Sequence, residues 1–135
     1  MKTLFSIMAM IIASSFFSQQ ITQKAIGSDK DNYGCKESAG YVFSKIKNNC
    51  IKLFEEKIQL KERDSHKSYT SNATIIFSKD NKKAELFLPS LKESIILNLN
   101  PSKNKKILVY KNGKYTLTKQ NNVYILKELN KIIFN

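Results

Sequence analysis

Candidate catalytic groups are few in this chain. His66 is the only histidine, and no serine or cysteine partner is recognisable by spacing, so neither a catalytic triad nor a histidine metal cluster can be assembled. Glu55 and Glu56 are adjacent, and adjacent residues of an extended segment point to opposite faces, which disfavours a cooperating acid–base pair. The sequence therefore predicts no catalytic residues, no metal ligands, no cofactor and a function other than catalysis.

The two cysteines, Cys35 and Cys50, are close in sequence. An even pair in an exported chain is most simply a disulfide, and closing a loop of about 15 residues contributes roughly 3 kcal/mol in the chain-entropy model. The alternative is two reduced thiols. A metal site is disfavoured because no CxxC spacing accompanies the single histidine.

Six lysines occupy two short segments between predicted strands. The formal net charge of the whole chain is +12, and a strongly basic surface attracts anionic partners. The alternative is a solvated surface without a partner: Arg63 is the only arginine among 23 basic residues, as A/T-rich codon usage would produce. Tyr110 and Tyr115 are further candidates for the binding surface. The six candidate binding lysines are Lys79, Lys82, Lys83, Lys103, Lys105 and Lys106.

The N-terminus predicts export. Lys2 precedes an apolar run over 4–17, which is typical of a signal peptide covering residues 1–18 and is too short for a permanent membrane anchor. Residues 19–34 form a polar lead-in that we expect to be flexible, and 35–135 form one domain, secreted or periplasmic. Lysines with aromatic residues nearby are also found in single-strand nucleic-acid binders. Because an exported protein rarely meets nucleic acid, we expect no nucleic-acid partner.

Period-two alternation after Cys50 predicts a mainly β domain. Short turns separate seven or eight strands, which indicates an antiparallel meander that curls into a barrel or sandwich to protect its edges. Asn112-Gly113 predicts a type I′ hairpin. The predicted strands cover 51–60, with an irregularity at 55–57, then 73–78, 84–88, 95–99, 107–111, 114–118, 123–129 and 132–134.

One short helix is predicted within 38–49. The apolar residues Ala39, Val42, Phe43 and Ile46 recur at helical spacing. An unbroken helix between the cysteines would hold them about 22 Å apart, so the helix must end near Asn48.

Two resemblances accompany these patterns. The segments 34–44 (GCKESAGYVFS), 49–55 (NCIKLFE) and 83–89 (KAELFLP) resemble a group of small uncharacterised secreted proteins of Bacteroidetes, which implies no activity. A predicted hairpin that ends in Leu88-Pro89, followed by 110–117 (YKNGKYTL), is similar to the periplasmic inhibitors of C-type lysozyme. This resemblance implies an eight-stranded barrel. That family has a Ser-Gly loop before the tyrosine, whereas this chain has 106–109 (KILV), so no inhibitory residue can be carried over.

These observations lead to two functional hypotheses. The first is a non-catalytic exported β domain that binds an anionic envelope or extracellular component, or a protein, through the lysine-rich segments. The second is an inhibitor of lysozyme-like enzymes. An enzyme whose mechanism no motif reveals is the third alternative. The oligomeric state and the identity of the partner do not follow from the sequence.

Overall fold

The computed structural model describes residues 29–64, 66 and 69–135. The predicted signal peptide and most of the lead-in lie outside the described residues. Helical structure in the described part consists of two 3-10 turns, η1 (Glu37–Ala39) and η2 (Leu53–Glu55), and no helix there has the length or apolar character to cross a membrane. The strands are β1 (Tyr41–Ser44), β2 (Asn49–Lys52), β3 (Ile58–Lys61), β4 (Asn72–Phe77), β5 (Lys83–Phe87), β6 (Ile95–Asn100), β7 (Ile107–Asn112), β8 (Tyr115–Gln120), β9 (Val123–Glu128) and β10 (Lys131–Phe134).

Strands β3 to β10 form one eight-stranded antiparallel sheet in which every strand pairs with the next in sequence. This confirms the predicted meander. The two edge strands meet: Lys61 N–H donates to Asn135 O (3.0 Å), Asn135 N–H donates to Lys61 O (3.1 Å), and Arg63 N–H donates to Ile133 O (3.0 Å). The sheet is therefore a nearly closed barrel, and its exposed edges are largely removed.

The barrel interior follows the period-two alternation. Inward-facing residues of successive strands, such as Leu86, Leu97, Leu117 and Leu126, are 0% exposed, so they form one continuous core. Because side chains of a strand alternate between faces, the residues between them lie on the outer wall. On β4 and β5 two of these outer residues, Ile76 and Phe87, are apolar and buried, which requires a second layer outside the barrel.

That second layer is the hairpin β1–β2, and the predicted helix over 38–49 is wrong. Only the single turn η1 is helical, and Val42 pairs with Ile51 across the hairpin. Val42 and Ile51 pack with Ile46 against the outer wall. The apolar residues that are spaced like one face of a helix therefore belong to a hairpin and its turn. Asn48 reverses the chain at φ 53°, a left-handed conformation that asparagine tolerates.

The predicted bulged strand over 51–60 is divided between two sheets. β2 belongs to the outer hairpin and β3 to the barrel, with η2 between them. Gln59 stabilises this break, because its side-chain amide donates to Leu53 O (2.6 Å) and Glu56 O (3.1 Å).

The hairpin between β7 and β8 turns one residue later than predicted. Asn112 pairs with Tyr115, so the turn residues are Gly113 and Lys114. Of these two, Gly113 has a positive φ (52°) and Lys114 does not, which is the pattern of a type II′ turn, not type I′. A two-residue turn with positive φ at both positions occurs instead at Leu129 (45°) and Asn130 (69°), between β9 and β10.

The predicted disulfide is confirmed. Cys35 and Cys50 are bonded, with their Cα atoms 5.5 Å apart, and join the segment before η1 to β2. The last residues of the predicted lead-in contact this segment: Asp31 Oδ1 accepts hydrogen bonds from Tyr33 N–H and Cys35 N–H, both at 2.8 Å.

We expect removal of the disulfide, by Cys35→Ser with Cys50→Ser, to lower the free energy of unfolding by about 3 kcal/mol, because the unfolded chain regains the freedom of a loop of about 15 residues. Urea unfolding followed by tyrosine fluorescence measures this difference. The double variant also serves as the control for reduction, since dithiothreitol should destabilise the wild type and leave the variant unchanged. Equal unfolding midpoints for wild type and variant would contradict the prediction.

Candidate functional site

The barrel topology brings the six candidate lysines together. In a meander, alternate connections lie at the same end, so the β4–β5 connection (78–82) and the β6–β7 connection (101–106) share one end. Contacts between neighbouring strands confirm that they are close: Leu99 N–H, near the end of β6, donates to Lys82 O at 2.8 Å. We call this end, with Lys79, Lys82, Lys83, Lys103, Lys105 and Lys106, the lysine end.

Both connections are ordered by their own polar side chains. Asp80 Oδ1 accepts hydrogen bonds from Ser78 Oγ (2.6 Å) and Lys82 N–H (3.0 Å). In the second connection, Asn104 Oδ1 accepts from Lys106 N–H at 3.0 Å. The backbone of each connection is thus held by Asp and Asn side chains, while all six lysine side chains are exposed to solvent.

Four acidic residues in the described part of the chain pair with lysines outside the lysine end. The ion pairs among the described residues join Lys45 to Glu93, Lys47 to Glu56, Lys52 to Glu55 and Lys114 to Glu128, and none of them uses a lysine of the lysine end. Within the two connections Asp80 is the single acid, so six lysines and one aspartate give the lysine end a formal charge of +5. This concentration of charge attracts anions.

The interior beneath the lysine end is filled with aromatic rings. Phe77 lies 5.2 Å from Tyr110 and 6.0 Å from Tyr124 between ring centroids. Lys119 Nζ lies over Phe77, 4.8 Å from its centroid, and forms a cation–π contact there. Aromatic side chains therefore occupy the barrel interior at this end.

The two candidate tyrosines do not join the lysines at the surface. Tyr110 is 0% exposed, its hydroxyl donates to Asn81 O at 2.9 Å, and burial raises the pKa of its phenol above the usual value. Tyr110 therefore supports the β4–β5 connection from below. Tyr115 is 6% exposed and lies at the other end of the barrel, where Lys114 Nζ is 5.3 Å from its ring centroid.

A buried carboxylate on the outer wall was not predicted from the sequence. Glu85, on β5, is 0% exposed and lies between the barrel and the hairpin. Its Oε1 accepts from Ser94 Oγ (2.6 Å) and Lys45 N–H (2.8 Å), and its Oε2 accepts from Ser44 Oγ (2.6 Å) and Ile46 N–H (3.0 Å). The available signal is that Glu85 shares its strand face with apolar Phe87, which indicates a covered face.

Glu85 is suited to a structural role. Four donors occupy the two side-chain oxygens, which meets the hydrogen-bonding needs of a buried carboxyl group. Since no part of the side chain reaches solvent, a substrate has no access to it. The arrangement holds the turn of the hairpin against the barrel.

Two cavities open elsewhere on the described surface. One, of about 290 Å³, lies between hairpin and barrel, where Tyr33 stacks on Phe43 with centroids 4.1 Å apart. The other, of about 570 Å³, lies at the barrel end opposite the lysine end, above Tyr115 and Phe134. Its carboxylates are engaged, because Ser71 Oγ donates to Glu62 (2.7 Å) and Lys114 pairs with Glu128.

His66 lies in the connection between β3 and β4. His66 is exposed, and its backbone N–H donates to Asp64 Oδ1 at 3.0 Å. No group of three or more histidine, cysteine, aspartate or glutamate side chains in the described part of the chain is placed to hold a metal ion.

Comparisons with known proteins add no assignment: no family model, curated protein or solved structure matches the chain.

We expect Glu85→Gln to destabilise the fold by about 1–3 kcal/mol. Each oxygen of Glu85 accepts from one backbone N–H, so in either orientation the amide NH₂ of glutamine would face Lys45 N–H or Ile46 N–H and leave it unpaired. Chemical denaturation measures the change. Glu93→Gln is the matched control, since the Glu93 side chain is 67% exposed and its loss should change stability by less than about 0.5 kcal/mol. Equal effects of the two substitutions would contradict a buried structural role for Glu85.

Asp80 should titrate below its ordinary value. The hydrogen bond from Ser78, followed by that from Lys82 N–H, lowers the pKa of Asp80 from 3.8, so the folded β4–β5 connection favours the ionised form. The stabilising contribution of Asp80 is therefore present above the unfolded-state pKa and is lost as the pH falls through the lower folded-state pKa. An NMR titration of the Lys82 amide should show a midpoint below 3.8 that disappears in Asp80→Asn. A midpoint at or above that value would refute the prediction.

Proposed function

We propose that this protein is a non-catalytic binding domain that works outside the cytoplasm and holds an anionic partner at the lysine end. The observation that carries the proposal is the convergence of six exposed lysines on one barrel end, five from two connections and Lys83 from the start of β5, with one aspartate among them. Four acids of the described residues pair with lysines elsewhere, and Asp80 is the only acid among the lysines of the two connections, so the lysine end keeps a formal charge of +5.

Export is supported by the disulfide and by the N-terminal sequence pattern. Structural disulfides persist in oxidising compartments and are rare in the cytosol. The bond between Cys35 and Cys50 is therefore consistent with a secreted or periplasmic protein.

A second candidate function is inhibition of lysozyme-like enzymes. The nearly closed eight-stranded antiparallel barrel favours it, because this is the architecture that the resemblance implies. Two observations weigh against it: Tyr110 is preceded by residues of strand β7 where the family has a Ser-Gly loop, and a strongly basic protein repels a basic lysozyme. A lysis assay distinguishes the candidates, since only the second predicts stoichiometric inhibition.

We expect a variant with the six lysines of the lysine end changed to glutamine to keep its fold and lose its partner. The formal charge falls from +12 to +6, and every changed side chain is exposed. Affinity capture from the envelope and surroundings of the producing cell, followed by titration of the captured component, measures the loss. Raising the salt from 0.1 M to 1 M should also release the partner, because the screening length falls from about 10 Å to about 3 Å.

The matched control carries the same change of charge elsewhere. It replaces six other exposed lysines by glutamine, and we expect it to retain most of the affinity. If both variants bind equally well, or if binding of the wild type survives 1 M salt, the lysine end is not the binding surface. The control positions are Lys30, Lys36, Lys61, Lys92, Lys114 and Lys131.

A further inference from the structure

We propose that the partner of the lysine end is a linear acidic polysaccharide that both connections contact at once. This inference rests on the proposed function and specifies the chemical class of the ligand. Three features of the lysine end carry it: the distance over which the charges extend, the polar side chains between them, and the position of the aromatic rings.

The lysines extend over more than one small anion can reach. The two connections join β4 to β5 and β6 to β7, so they cover four adjacent strands and three spacings. At about 4.8 Å per spacing, the arc is roughly 14 Å wide. A single phosphate or carboxylate contacts one connection, whereas a polymer with repeated charges contacts both, and the second contact benefits from a high effective concentration.

Amide side chains accompany the lysines. Asn98 and Asn100 lie at the end of β6, and Gln120, Asn121 and Asn122 lie at the β8–β9 turn of the same barrel end; all five are exposed. An amide carries both a donor and an acceptor, as a sugar hydroxyl does, so it matches a hydroxyl-rich polymer. Lysine supplies the complementary point charge without the planar fork with which arginine selects phosphate geometry.

Aromatic rings are placed unfavourably for nucleic acid. Single-strand binders stack bases on exposed aromatic side chains. Here Phe77, Tyr110 and Tyr124 pack in or against the barrel core, and Lys119 covers the Phe77 ring. The exposed large apolar side chains of the described residues do not include any from the two connections. At the same barrel end Val123, next to Asn122, is 61% exposed, but insertion into a lipid surface needs an apolar face of several side chains.

The test compares anionic polymers that differ in the chemistry of their backbone. Binding of the purified protein to polygalacturonate, dextran sulfate, neutral dextran, an oligo-dT and phosphatidylglycerol vesicles is measured at 0.1 M salt by calorimetry or light scattering. We expect both acidic polysaccharides to bind, neutral dextran not to bind, and the oligo-dT to bind about tenfold more weakly than polygalacturonate at matched charge. The six-lysine variant should lose this binding and the six-lysine control variant should keep it.

A second variant tests the amide contacts. Asn98→Ala with Asn100→Ala and Gln120→Ala leaves the charge unchanged and should weaken polygalacturonate binding about tenfold, with the same salt dependence. Stability is checked by thermal unfolding. An unchanged affinity in a folded triple variant would show that charge alone is recognised and would overturn the polysaccharide assignment.

The remaining outcomes separate the two proposals. This inference is overturned if oligo-dT or the vesicles bind more tightly than the acidic polysaccharides, or if neither acidic polysaccharide binds. The proposed function still holds in those cases if binding of the native partner depends on the six lysines. If the six-lysine variant binds polysaccharide as tightly as its control, the lysine end is not the polysaccharide site and this inference fails. Both proposals fail if that variant also retains the native partner as tightly as the control does.

Discussion

Closure of the sheet between β3 and β10 is the contact on which the rest of the structure depends. An eight-stranded meander left open would expose two long edges, and the hydrogen bonds between Lys61 and Asn135 and from Arg63 to Ile133 remove them. Closure also bends the sheet, so that its connections lie at the two ends of a barrel. The connections 78–82 and 101–106 lie at the same end because β5 pairs with β6 in the meander, and closure curves that end into one compact surface.

The outer hairpin depends on a second constraint, the burial of Glu85. A carboxylate in this position is tolerated because four donors satisfy it, two of them backbone N–H groups of the hairpin turn. The disulfide between Cys35 and Cys50 holds the same hairpin from its other side. Together they keep Ile76 and Phe87 covered, so the barrel can carry apolar residues on both faces of β4 and β5.

The two barrel ends differ in their chemistry. The lysine end is plugged by aromatic rings and carries its charge on exposed connections, which suits binding by surface contact. The opposite end keeps a cavity above Tyr115 and Phe134, and its acids are paired locally. The proposed binding function uses this difference between the two ends.

The sequence by itself determined most strands of the barrel, the meander and the disulfide, because alternation and short turns are local and only two cysteines exist. It also placed the six lysines at or beside turns, but their proximity follows from the pairing of β5 with β6, which sets Lys83 opposite Asn98 and Lys82 against Leu99. Local spacing favoured a helix over 38–49, whereas Glu85, about 40 residues away, binds the turn N–H groups of a hairpin. Tertiary packing likewise decided that Tyr110 faces the core and that the sheet forms a barrel and not a sandwich. Alternation defines the two faces of a strand but does not define what covers each face.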